Sequence, residues 1–235
     1  MTPTQRERIA AAFWDRVGGR PAPPRDLAVA AAGACPVWVR ASNGVTPHLV
    51  REWFAARGLR LPDGSRTDRP LLGCVVAHRG SGGIFVDANL PEADRRVIVA
   101  HELGHFLAEY LVPRERVVRR LGDAVLPVLD GDRPPTFAEE AAGWLAGVRV
   151  GVAVHVLHRG FDPDSHDRSE RSASELGLEL LAGREEVQAV TTDESAMFEA
   201  LTARFGLPAS WATGYAKRLA ADARRRVPLS KRWGI

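Results

Sequence analysis

Two histidines four residues apart, His101 and His105, bracket Glu102 in the run HELGH, and these are the residues of the chain whose types and spacing point most directly to chemistry. On an α-helix, positions four apart differ by about 40° around the axis, so both imidazoles leave one face, one turn apart. Two imidazoles so placed can share a zinc ion. Glu102 lies about 60° from His105, close enough to act on a water at that ion without being a ligand itself. The pattern is that of metal-assisted hydrolysis with a carboxylate general base. Val97, Ile98, Ala108 and Val112 fall in the same sector, so the histidines interrupt an apolar stripe.

A hydrolytic zinc site takes three protein ligands and keeps one position open, so a third ligand must come from elsewhere. Glu170 is the favoured candidate. Its sector of the predicted helix at about 167–182 holds Ala173, Ser174, Gly177 and Leu181, small or apolar residues that allow close approach, while Glu175 and Glu179 fall on the opposite side. An inward-facing carboxylate needs a partner, because burying it unpaired is costly. Glu139 is the rival, with Ala142, Gly143 and Ala146 beside it, but Thr136 three residues earlier gives it a capping-box explanation. Asp167 stands in the same relation to Glu170. His155, His158, His166, Tyr110 and Tyr215 are candidate donors to an oxyanion, and the sequence does not choose among them.

The elements that must position these groups can be read from punctuation and periodicity. Helices are expected at about 4–17, ending at Gly18-Gly19, and at 25–34 before Pro36. A third is capped by Thr46 with Pro47 in its first turn and Gly58 beyond its end. PVWVR reads as a strand. Leu72 to Arg79 and Gly83 to Asp87 read as a hairpin turning at GSGG, which gives a small antiparallel sheet ahead of the motif helix. The strand Gly83 to Asp87 is a candidate edge for pairing with an extended peptide. Pro91 opens the motif helix and Pro113 is expected to follow its end. An irregular connection spans 120–135, then helices at about 137–147 and 167–182, and two or three more over 194–226.

The stretch GGIFVDANLPEADRRVIVAHELGHFLAEYL resembles the ImmA/IrrE family of metallopeptidases, in which a strand ending in an aromatic-Val-Asp/Asn element leads into the active-site helix. ERSASELGLELLAG is similar to that family's second signature, with Glu170, Ala173, Glu179, Leu180 and Leu181 in register. Leu176, Gly177 and Gly183 stand where Phe, Ala and Pro are usual. The resemblance implies zinc ligands at His101, His105 and Glu170, a base at Glu102, and a zincin-like fold. It also implies a protein substrate, which in this family can be a helix-turn-helix transcriptional repressor. The expected fold is α+β: N-terminal helices and a first strand over 1–69, a predominantly helical zincin-like core over 70–190 with an insertion at about 112–165, and a C-terminal helical, helix-turn-helix-like segment over 191–235.

That last segment, FEALTARFGLPASWATGYAKRL, places Gly206 where two short helices would turn, and its Arg-rich continuation suits phosphates. The alternative reading is therefore a DNA-binding regulator with a structural or vestigial zinc site. Thr202, where such motifs carry a small Ala, speaks against DNA contact. Composition sets the remaining bounds. The 235 residues, 45% hydrophobic and 26% charged with a net charge of +3, suit one globular core and not a disordered or membrane chain. Cys35 and Cys74 form neither a disulfide framework nor a thiol cluster. No basic-then-apolar leader and no long apolar run is seen, so a cytoplasmic protein is expected.

Overall fold

The computed structural model describes residues 1–59, 68–151, 155–156 and 163–226. Helices dominate and surround a small mixed sheet, an α+β arrangement. The N-terminal part holds α1 (Pro3–Val17), α2 (Leu27–Ala34), strand β1 (Val37–Ser42) and α3 (Pro47–Ala55). Side-chain oxygens of Thr2, Asp26 and Thr46 accept from backbone N–H groups in the first turns of α1, α2 and α3, which satisfies donors that a helix start leaves open.

The hairpin comprises β2 (Gly73–His78) and β3 (Ser81–Asp87). It turns at Arg79-Gly80 and not at GSGG: both residues have positive φ, 48° and 81°, as a two-residue hairpin turn with matching twist requires. Gly82 and Gly83 belong to the strand instead. A Cβ on Gly82 would lie 2.5 Å from the Phe106 ring, and one on Gly83 would run into Trp38, so neighbouring aromatic rings and not a turn require these glycines.

The sheet has the order β1-β3-β2-β4, where β4 is the two-residue pairing of His155–Val156 with Val76 and Ala77. It is mixed, not antiparallel throughout. β3 folds back from β2 onto β1 and so runs in the same direction as β1, with Val37 opposite Gly82 and Ser42 opposite Asp87. β3 therefore has neighbours on both sides and is no edge for a peptide. Alternation sends Val37, Val75, Ala77, Ile84 and Val86 into the main core. The opposite face, Cys74, Val76 and Phe85, packs on Val50 and Phe54 of α3, with Trp38 and Trp53 alongside at 4.7 Å between ring centroids.

The motif helix α4 (Glu92–His105) does not stop before Pro113. It continues through a π-helical turn (Phe106–Leu111) into α5 (Val112–Leu121). A proline inside an α-helix lacks the N–H and clashes with the carbonyl four residues back, and the wider π turn just before it relieves both problems by opening a new first turn at Val112. Beyond α5 come the one-turn α6 (Leu126–Leu129) and α7 (Phe137–Leu145), and Val117, Val125, Val128 and Leu129 form a small core of their own. Then follow α8 (Pro163–Leu181), α9 (Arg184–Gln188), α10 (Glu194–Ala203) and α11 (Ala209–Arg226). Met197 and Leu201 of α10 and Ala212, Tyr215, Ala216 and Leu219 of α11 join the same core as α4 and α8. Arg218 and Arg224 of α11 face Glu175 at 3.5 Å and Glu194 at 4.0 Å. Among the described residues no helix is long and apolar enough to cross a membrane.

α4 and α8 pack backbone against backbone. A Cβ on Gly104 would collide with the Ala173 carbonyl, and one on Gly177 would fall 2.6 Å from the Ala100 carbonyl oxygen. Replacing Gly177 by Ala is accordingly expected to cost about 1–3 kcal/mol in chemical denaturation, as overpacking does. Gly33→Ala on α2, with nothing within 4 Å of the added methyl, should be neutral or stabilising by up to about 1 kcal/mol. Equal effects at the two positions would contradict the close crossing.

Candidate metal centre

The crossing of α4 and α8 brings Glu170 to the histidine pair. The His101 and His105 Nε2 atoms are 3.2 Å apart, His101 Nε2 is 3.2 Å from one Glu170 oxygen, and His105 Nε2 is 3.6 Å from the other. Ligand atoms about 2.0–2.1 Å from a tetrahedral ion stand about 3.3 Å from one another, and the separations here are of that order, with Glu170 presenting one oxygen to each imidazole. One ligand atom from each of the three residues lies within 4.8 Å of the other two. Two imidazole nitrogens and one carboxylate oxygen form a donor set suited to zinc in hydrolytic sites.

Both rings are held from behind. His101 Nδ1 is 3.0 Å from Ser174 Oγ, and His105 Nδ1 is 3.0 Å from Glu109 Oε1. The Ser169 hydroxyl donates to that same Glu109 oxygen. With each Nδ1 so engaged, both Nε2 atoms are directed toward Glu170, and outer partners of this kind fix ring orientation and raise ligand basicity. Glu109 sits in the π-helical turn. Its spacing of four from His105 was visible in the sequence, but nothing there marked it as an outer partner. In the sequence Ser174 is one of the small residues of the Glu170 sector, and it reaches His101 because it lies one turn beyond Glu170.

Glu102 is buried, at 5% exposure, and its Oε2 has no hydrogen-bond partner among the described residues. The Val75 backbone N–H, which alternation turns away from β3, faces its carboxylate. Burial pushes this carboxyl up to about 7, against the pull of His101 and His105. Burial pulls the His105 imidazole down, but the Glu109 and Glu170 carboxylates outweigh it and raise it to about 9. Hydrogen bonds with His101 and His105 hold Glu170 well below the usual carboxylate range. Three carboxylates, Glu102, Glu109 and Glu170, thus crowd two imidazoles, and Glu102 has a buried oxygen with no partner among the described residues. A divalent cation fits this local excess of negative charge.

Glu139 has a different job. Its carboxylate takes two bonds from Arg133, at 2.6 and 2.8 Å, and closes a capping box with Thr136. These contacts hold it down to about 2. Glu175 faces away from the centre and bonds Arg6 of α1 at 2.5 Å, while buried Glu179 accepts from the Arg184 N–H. Of the candidate oxyanion donors, the Tyr110 hydroxyl accepts from Gly80 N–H and the Tyr215 hydroxyl donates to the Ala182 carbonyl, so both are engaged in holding the fold. His158 and the side chains of His155 and His166 lie outside the described residues.

No family model matches the chain, and neither a curated protein nor a solved structure matches it. Competition titration of zinc against a chromophoric chelator should give one site per chain, weakened roughly 10–100-fold by Ser174→Ala or by Glu109→Gln. Glu139→Gln should leave the affinity unchanged. Zinc uptake indifferent to both outer partners would place the ion elsewhere.

Proposed function

We propose that the protein is a zinc-dependent metallo-endopeptidase of the ImmA/IrrE type that hydrolyses a peptide bond in a protein substrate, by that resemblance a helix-turn-helix transcriptional repressor. The observation that carries this reading is the convergence of His101, His105 and Glu170 at tetrahedral spacing, with the buried Glu102 carboxylate beside them. Zinc, when bound, supplies a Lewis acid that activates water and polarises a carbonyl. His101, His105 and Glu170 would hold it. Ser174 and Glu109 keep the two rings in register.

Glu102 takes the water proton on its carboxylate and returns it to the leaving amine, which lets one residue serve as base and then acid. Its surroundings suit that exchange, since the side chain is buried, with Gly73 close to its Cγ and Ile98 close to Gly73. β3 is paired on both sides and offers no free edge to a substrate peptide.

The test is Glu102→Gln, assayed with a mixed-sequence fluorescence-quenched peptide library. Hydrolysis should fall by at least about 100-fold, with zinc content and unfolding midpoint unchanged. A chelator should abolish the wild-type activity and added zinc should restore it. Cleavage that survives both the substitution and the chelator would require another catalytic centre.

A further inference from the structure

At the side of the sheet opposite β4, β1 ends the strand order, and among the described residues no strand pairs with its outer edge. The Pro36 and Ser42 carbonyls accept from Gly82 and Ala88 of the β3 side. With a period of two, the even-numbered groups of β1 therefore turn toward β3, and the N–H and C=O groups of Val39 and Ala41 turn outward. Ala41 is exposed and Val39 is only half-buried. Such a row of unpaired donors and acceptors is a template for another strand.

Beside this edge, on the α3 face, lies a pocket of about 490 Å³ lined by Arg40, Ser42, Leu49, Glu52, Trp53 and Arg57. The Arg57 guanidinium stacks over the Trp53 ring, 3.6 Å from its centroid, and donates to the Trp53 carbonyl. Arg40 Nε donates to Ser42 Oγ at 3.2 Å. Each guanidinium keeps further donors, whereas Glu52 is paired with His48 at 3.1 Å. The pocket thus offers an apolar floor from Leu49 and Trp53 between two cations.

We propose that the β1 edge and this pocket form a docking site for an extended acidic peptide segment of a partner protein, separate from the metal centre and independent of its chemistry. The segment adds as a strand through the Val39 and Ala41 backbone groups. A side chain projecting onto the α3 face enters the pocket, where a carboxylate meets Arg40 and Arg57. Backbone pairing favours a peptide over a nucleic acid, because only a peptide supplies alternating N–H and C=O groups at strand spacing.

The probes are the blocked pentapeptide Val-Glu-Val-Asp-Val, its Lys-for-acid counterpart, an acidic version N-methylated at alternate residues, and a single-stranded oligothymidine. Binding to the full chain is followed by calorimetry and by amide chemical shifts. The acidic peptide should bind and shift Val39 and Ala41, at least tenfold more tightly than the lysine peptide, and more weakly as salt rises. Arg40→Glu with Arg57→Glu should cost at least tenfold, and Ala41→Pro should abolish binding because it removes an outward N–H. The N-methylated peptide should fail on the unaltered protein, which keeps the edge testable should Ala41→Pro disturb folding. No binding of the acidic peptide, equal binding of the acidic and lysine peptides, undiminished binding of the N-methylated one, or preference for oligothymidine would each overturn the proposal.

Discussion

Helices α4 and α8 meet with almost no side chain between them, and the rest of the molecule depends on that approach. Gly104 lies on the Ala173 backbone and Gly177 on the Ala100 backbone, so the two axes come closer than any larger residue would allow. Glu170, three residues before Ala173, and Ser174, the residue after it, are thereby carried to the histidines of α4. The remaining elements hold this pair in place. The sheet buttresses α4 through Val75, Ile84 and Val86, and α1 holds the far side of α8 through Arg6 and Glu175.

The electrostatic cost of the arrangement is concentrated at one point. Glu102 is buried with an unpartnered oxygen, and Glu109 and Glu170 bring further negative charge to the same imidazoles. Glu179 Oε2 is likewise buried without a partner among the described residues, but it lies away from the imidazoles, and other buried charges are closely held. Arg25, for example, donates to Glu186, to the Leu181 carbonyl and to the Pro21 carbonyl, between the rings of Trp14 and Phe205. What sets Glu102 apart is its place beside the His101, His105 and Glu170 cluster, where a cation and water would complete it.

Much of this was legible in the residues. The cap at Thr46, the histidine spacing, and the small-residue face around Glu170 each have a local cause, and local causes can be read from sequence. Non-local causes could not. The direction of β1 relative to β3 depends on which side of the hairpin folds inward. The glycines of GSGG look like turn residues until Phe106 and Trp38 are known to press on two of them. Pro113 looks like a helix stop unless a π-helical turn precedes it, and that turn also houses Glu109, whose role behind His105 was missed. The helix-turn-helix resemblance of α10 and α11 was likewise a local pattern, while the burial of Ala212, Tyr215 and Ala216 in the common core is a tertiary fact.

The most direct test of the central claim is anomalous scattering at the zinc absorption edge from crystals of the zinc-loaded protein. The expected result is a single strong peak about 2.0–2.2 Å from His101 Nε2, His105 Nε2 and a Glu170 oxygen. A peak elsewhere, or none between these three side chains, would contradict a metal centre at the α4–α8 crossing.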